Sequence, residues 1–119
     1  MKLYLAGPMR GYEDLNYAAF DQAAHLLTAA GHKVFNPVDW NRDNETSDVR
    51  AGLAADMLYI CKEAEGIVLL PGWRKSSGAV AELAAAQAVR IPTWEFQYFL
   101  FYVQYAEQVD VSVVLRVAA

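Results

Sequence analysis

The sequence has little cysteine, little net positive charge and no apolar run long enough to span a bilayer. Its single cysteine, Cys61, excludes a disulfide framework and suits a reducing compartment. In the apolar helical pattern around it, Cys61 reads as a core filler rather than a nucleophile. Ten Lys and Arg against fourteen Asp and Glu give a net charge of −4, which argues against a nucleic-acid-binding surface. The apolar start, Met1 to Ala6, is cut by Gly7-Pro8 and is too short for a secretory leader. The apolar tail is broken by Gln97, Gln104 and Glu107, so it is not read as a membrane span. These absences point to a cytoplasmic protein without membrane or nucleic-acid partners. Nucleophile elbow, Walker loop and dinucleotide fingerprint are also missing, the spacing of Gly7 and Gly11 being too weak to stand for one. His25 and His32 have no second ligand at useful spacing, so neither a metal nor another cofactor is expected.

What is present is an ordinary globular composition, 55% apolar and 20% charged over 119 residues, read as one domain with its own core. Leu3 to Ala6 reads as a buried first strand, followed by the loop Gly7-Pro8-Met9-Arg10-Gly11, whose glycines let a ligand approach the backbone. From about Asp14 to Ala30, Leu15, Ala19, Ala23, Leu26, Leu27 and Ala30 keep helical spacing, and Gly31 ends the helix. Lys33 to Asn36 reads as a second strand stopped by Pro37, and Val38 to Thr46 as a polar loop. Ser47 or Asp48 caps a helix marked by Val49, Leu53, Met57, Ile60 and Ala64. Ile67 to Leu70 reads as the central strand, covered on both faces. Pro71-Gly72 stops it, and Ser77 is the expected N-cap of an alanine-rich helix closed by Ile91-Pro92. Pro92 to Phe96 makes a fourth strand, and Val111 to Val117 a fifth.

Strands and helices that alternate in this way argue for an α/β three-layer fold, a doubly wound parallel sheet of order 2-1-3-4-5 as in flavodoxin-like or Rossmann-like proteins. In that order the switch point lies between strands one and three. The loops leaving those strands, Gly7 to Gly11 and Pro71 to Gly78, are the two that composition alone singles out.

Five residues near those loops could carry chemistry: Tyr4, Arg10, Asp56, Ser76 and Glu82. Cleaving an N-glycosidic bond with retention needs a carboxylate near the anomeric carbon and a proton donor for the departing base. Glu82, taken to lie in about the first turn of its helix and to be ionised there, suits the nucleophile. The plainer alternative is that it only complements the helix dipole. Asp56 lies among Ala54, Ala55 and Met57, where partial burial would raise its pKa and fit it as an acid. Its alternative is a solvated acid beside Lys62 or Arg50. Arg10 with the Ser76 and Ser77 hydroxyls could hold a 5′-phosphate, against an ordinary surface arginine.

The aromatic extension, residues 94–119, is unusual: Trp94 to Tyr105 holds seven of the fifteen aromatics. Phe96, Phe99, Leu100 and Val103 would form one helical face, and Tyr98, Phe101, Tyr102 and Tyr105 another. A helix apolar all round needs cover on both sides. Packing into its own core is one solution, and a homodimer interface is the preferred one.

Tyr4-Leu5-Ala6-Gly7-Pro8-Met9-Arg10-Gly11, Gly31-His32-Lys33-Val34-Phe35-Asn36-Pro37, Asp56 and Leu69-Leu70-Pro71-Gly72-Trp73 through Ser76-x-Gly78-x3-Glu82 resemble the nucleoside 2-deoxyribosyltransferase superfamily over about residues 2 to 96. The likeness is greatest to its small members often found in phage genomes. The resemblance implies Glu82 as nucleophile, Tyr4 as the tyrosine that positions it and Asp56 as the acid that assists at the base. It implies a nucleotide or nucleoside substrate met by Gly7, Met9, Arg10, Gly11, Trp73, Ser76, Ser77 and Gly78. Transferases of that superfamily usually carry Asp where Ser76 stands. Ser76 with Arg10 looks more like the branch that hydrolyses deoxynucleoside 5′-monophosphates. The resulting expectation is a nucleotide N-glycosidase. Its alternatives are a base-exchanging deoxyribosyltransferase and a nucleotide-binding module without turnover. Members of the superfamily are commonly oligomers whose neighbouring subunit completes the pocket.

Overall fold

In the computed structural model, which describes residues 1–45 and 48–105 (the last four as backbone only), four parallel strands are ordered β2-β1-β3-β4. These are β1 (Lys2–Ala6), β2 (Lys33–Phe35), β3 (Gly66–Leu69) and β4 (Thr93–Glu95). Leu3 pairs with Val34 on one side and Gly66 on the other, and Val68 pairs with Trp94. Strand period two sends alternate residues of β1 and β3 into two cores. Leu3, Leu5 and Val68 pack with Phe20, Ala23 and Leu27 of α1 (Tyr17–Ala29) and Phe99 of α5 (Phe96–Tyr105). Tyr4, Ala6, Ile67 and Leu69 pack with Ile60 of α3 (Val49–Lys62) and Ala79 and Ala86 of α4 (Ser77–Ala88). The doubly wound α/β fold is thus as expected, while the expected fifth strand lies outside the described residues. No helix among the described residues is long and apolar enough to cross a membrane.

Several local expectations are corrected. The stretch read as a polar loop contains α2, Pro37–Asn44. Pro37 takes the first helical position instead of only stopping the strand, and the Asn36 side chain accepts from the Val38 N–H at 3.1 Å. Only Pro37 and Val38 are buried, so the helix shows no apolar stripe to read. Leu15 belongs to no helical face: Glu13–Asn16 forms a 3-10 turn in which Asp14, Leu15 and Asn16 all have positive φ, and Leu15 is exposed. Cys61 is exposed rather than buried, because α3 turns Ile60 inward and its neighbour out. Asp48 is the cap of α3, accepting from the Arg50 and Ala51 N–H groups.

Gly66 has a packing reason to be glycine. A Cβ there would stand 2.4 Å from Cζ3 of Trp94, whose ring lies against Phe99 with centroids 5.0 Å apart. In α5, Phe99 is buried, whereas Tyr98 and Phe101 are each 53% exposed. Phe96 and Leu100 are half-buried, and Tyr102, Val103 and Tyr105 have side chains outside the described residues.

Candidate active site

The carboxyl ends of β1 and β3 open into a cleft of about 720 Å³ at the expected switch point. β1 contributes Tyr4 to its floor, and the loop beyond contributes Gly7, Met9 and Arg10. The β3 loop and α4 contribute Lys75, Ser76, Ser77, Gly78 and Glu82, while α3 contributes Asp56. Most of the site residues expected from the sequence are therefore brought together. Gly11 and Trp73 do not border the cleft. Gly11, at φ +82°, serves the turn, while the Trp73 indole donates to Glu95 Oε1 at 3.2 Å and lies beneath the Arg74 guanidinium.

The floor brings together Tyr4, Glu82 and Asp56. Tyr4 is fully buried, and its hydroxyl donates to Glu82 Oε2 at 2.6 Å. Such a short bond to a buried carboxyl fixes the side chain. Asp56 is near enough for its protonation and that of the other two to depend on one another. Burial pushes the Glu82 carboxyl up to about 9; the Tyr4 hydroxyl works against that shift and the Asp56 charge adds to it. Burial also raises Asp56, held back by hydrogen bonding with Glu82 and Tyr4. Tyr4 is raised well above the usual phenol range, by burial first and then by the negative carboxyls, so it stays a donor.

This corrects the expected state of Glu82. It is the sixth residue of α4, beyond the first turn where the dipole favours a carboxylate, and it is only 6% exposed. Raised that far, Glu82 keeps its proton at neutral pH. The two carboxyls behave as a pair that gives up one proton well before the other. Such a pair supplies one acid and one carboxylate, the complement glycosidic chemistry needs.

Above the floor lies a rim of cations and hydrogen-bond donors. Ser76, not Ser77, caps α4: its Oγ accepts from the Ala79 N–H at 3.2 Å, and its carbonyl accepts from Val80. The Val80 bond is the first of the helix ladder; of the four N–H groups before it, which have no intrahelical acceptor, Ala79 donates to Ser76 Oγ and Ser76 to the Trp73 carbonyl. The N–H groups of Ser77 and Gly78 are left for a ligand, next to Arg10 and Lys75. The loops that carry this rim are in close contact. A Cβ on Gly7 would lie 2.8 Å from Cβ of Leu70, and one on Gly72 would lie 2.6 Å from the Tyr12 hydroxyl.

Lys75, Tyr17, Asn41 and Gly52 also border the cleft and were not singled out from the sequence. Lys75 could have been found as a second cation on the chosen loop. Asn41 was hidden by the reading of its helix as a loop, although Asn36-Pro37 carries the helix-start signal.

A parallel α/β sheet with a tyrosine–carboxyl trio at its switch point defines the class of domain. More particularly, the chain belongs to the DUF4406 family, a domain of unknown function, whose family model matches residues 1–94. That span contains every residue of the trio and rim. No curated protein matches the chain at a significant level.

Proposed function

We propose that this protein hydrolyses the N-glycosidic bond of a nucleoside or deoxynucleoside 5′-monophosphate. The observation that carries this reading is the buried Tyr4–Glu82–Asp56 trio beneath a rim of Arg10, Lys75 and the open N–H groups of α4. Glu82 attacks the anomeric carbon while the bond to the base breaks, its electron pair leaving with the base. The base takes a proton from Asp56, so the proton shared by the pair must be on Asp56 at that moment. Positive charge developing on the sugar favours this shift, because it stabilises the Glu82 carboxylate. Water then attacks the glycosyl ester, a proton returns to Asp56, and the sugar phosphate leaves. Tyr4 holds Glu82 throughout as a positioning residue.

The likeness to nucleoside 2-deoxyribosyltransferases supports the same chemistry, and Ser76 in place of their aspartate favours a phosphorylated substrate over base exchange. Incubating the protein with nucleosides and their 5′-monophosphates, and following free base by chromatography, tests the reading. Monophosphates should release base, and Glu82→Ala should abolish that release while the protein stays folded. Equal turnover of nucleosides would remove the phosphate rim from the reading, and a new nucleoside formed with an added free base would replace hydrolysis by transfer. A homodimer is part of the proposal, since Tyr98 puts aromatic surface on the outer side of α5.

A further inference from the structure

The wall of the cleft formed by α2 is built with more polar bonding than a surface helix needs. Arg42 donates to both Asp21 oxygens, at 3.1 and 2.7 Å, and its guanidinium sits 5.3 Å from the centroid of the Tyr17 ring. Asp21 also accepts from Asn36 Nδ2 at 3.1 Å, tying the pair to the residue that caps α2. The bonds from Arg42 hold the Asp21 carboxyl below the usual carboxylate range, so the pair stays charged at neutral pH. Asn41 Nδ2 donates to the Tyr17 hydroxyl at 3.3 Å. Its Oδ1 lies 3.8 Å from where a Cβ on Gly52 would stand, and Asn41, Tyr17 and Gly52 all border the cleft. The bond to Tyr17 uses one of the two Nδ2 protons and fixes the amide so that Oδ1 is the polar atom of Asn41 on the Gly52 side, where a carbonyl oxygen can only accept.

Sheet order gives this wall its place along a ligand. β2 leads into α2, β3 leads into α4, and β1, which carries Tyr4, lies between them. A molecule with phosphate at the α4 start and its sugar over Glu82 therefore directs its base to α2. We propose that this wall selects bases with an exocyclic amino group: Asn41 Oδ1 accepts from the amine, the Tyr17 ring supports the base, and Asp21 and Arg42 are positioning residues for both. The proposal rests on the reading that a nucleoside 5′-monophosphate occupies the cleft.

Two substrate pairs that differ only in amine against oxygen test it: the deoxynucleoside 5′-monophosphates of adenine and hypoxanthine, and those of cytosine and uracil. Dissociation constants would be measured calorimetrically on Glu82→Ala, which cannot turn over, and kcat/KM on the wild type. The amino member of the pair that fits the cleft should be favoured by about tenfold or more, the worth of one well-placed hydrogen bond. Asn41→Leu should bring that ratio close to one, and Asn41→Asp, which keeps an acceptor, should restore it. Arg42→Leu should raise KM for the amino member with little change in kcat. No amino preference in either pair, or a preference that survives Asn41→Leu, overturns the proposal. Preferential binding without turnover would sink hydrolysis and leave base selection standing, whereas turnover without preference would do the reverse. If none of the four binds, both readings fall.

Discussion

Replacing Glu82 by glutamine should stabilise the protein while removing its proposed chemistry. In the unfolded chain a glutamate titrates near 4.5, and in the fold Glu82 is raised to about 9. Below the lower value both states are protonated and folding loses nothing. As pH rises between the two values, the unfolded chain releases a proton that the folded one keeps. Stability therefore falls by about 1.36 kcal/mol per pH unit until it levels off above the folded value. From pH 4.5 to 7 the loss is about 3 kcal/mol, on the order of 10 °C in Tm for a domain of this size. Glutamine keeps an oxygen for the Tyr4 hydroxyl but has nothing to titrate. Asp56 remains in both proteins and titrates together with Glu82, so the difference between their curves reports the proton that the carboxyl pair retains. Urea unfolding followed by tryptophan fluorescence at pH 5, 6, 7 and 8 measures that difference. The gap between the two proteins should be smallest at pH 5, with the variant increasingly ahead as pH rises. A gap independent of pH, or a variant that loses ground towards pH 8, would refute the buried, protonated state assigned to Glu82.

Three other perturbations address the rim, the core and the assembly. Arg10→Ala should raise KM for a 5′-monophosphate roughly tenfold, the scale of one charge-assisted contact, and change kcat little; an unchanged KM places the phosphate elsewhere. Gly66→Ala forces a Cβ to within 2.4 Å of the Trp94 ring and should cost about 1–3 kcal/mol in urea unfolding, a neutral result meaning that the ring can move aside. Sedimentation at micromolar concentration should show a dimer that Tyr98→Asp weakens, and a single species near 13.2 kDa would dismiss the interface.

The sequence was most informative where short-range pattern and burial coincide. Leu3 to Ala6 and Ile67 to Leu69 are apolar because both faces of the sheet are covered, so those strands, their order and the switch point were legible. Tyr4, Asp56, Glu82, Arg10 and Ser76 were identified from residue type and the loops they flank, and all border one cleft. What was missed depends on three-dimensional surroundings. The proton on Glu82 comes from burial contributed by distant elements, not from its place in the helix. α2 was lost because Asp39, Asn41, Arg42, Asp43 and Asn44 look like a loop unless Asn36-Pro37 is read as a helix start. Trp73 sat in the right loop but turns to Glu95, a partner 22 residues away that no local pattern indicates.

The contacts at Gly7 and Gly72 bear on how the cleft can breathe. At Gly7 an added Cβ would collide with Leu70 Cβ, and at Gly72 it would meet the Tyr12 hydroxyl, so the segments leaving β1 and β3 pack closely. They form one jaw of the cleft, and it carries Glu82 and the rim of cations and donors. Widening of the cleft to admit a ligand then falls to the opposite jaw, α2 with the start of α3. In hydrogen exchange, amides of the α2 wall should open well before those around Leu70, and bound nucleotide should slow the first set while leaving the second almost unchanged.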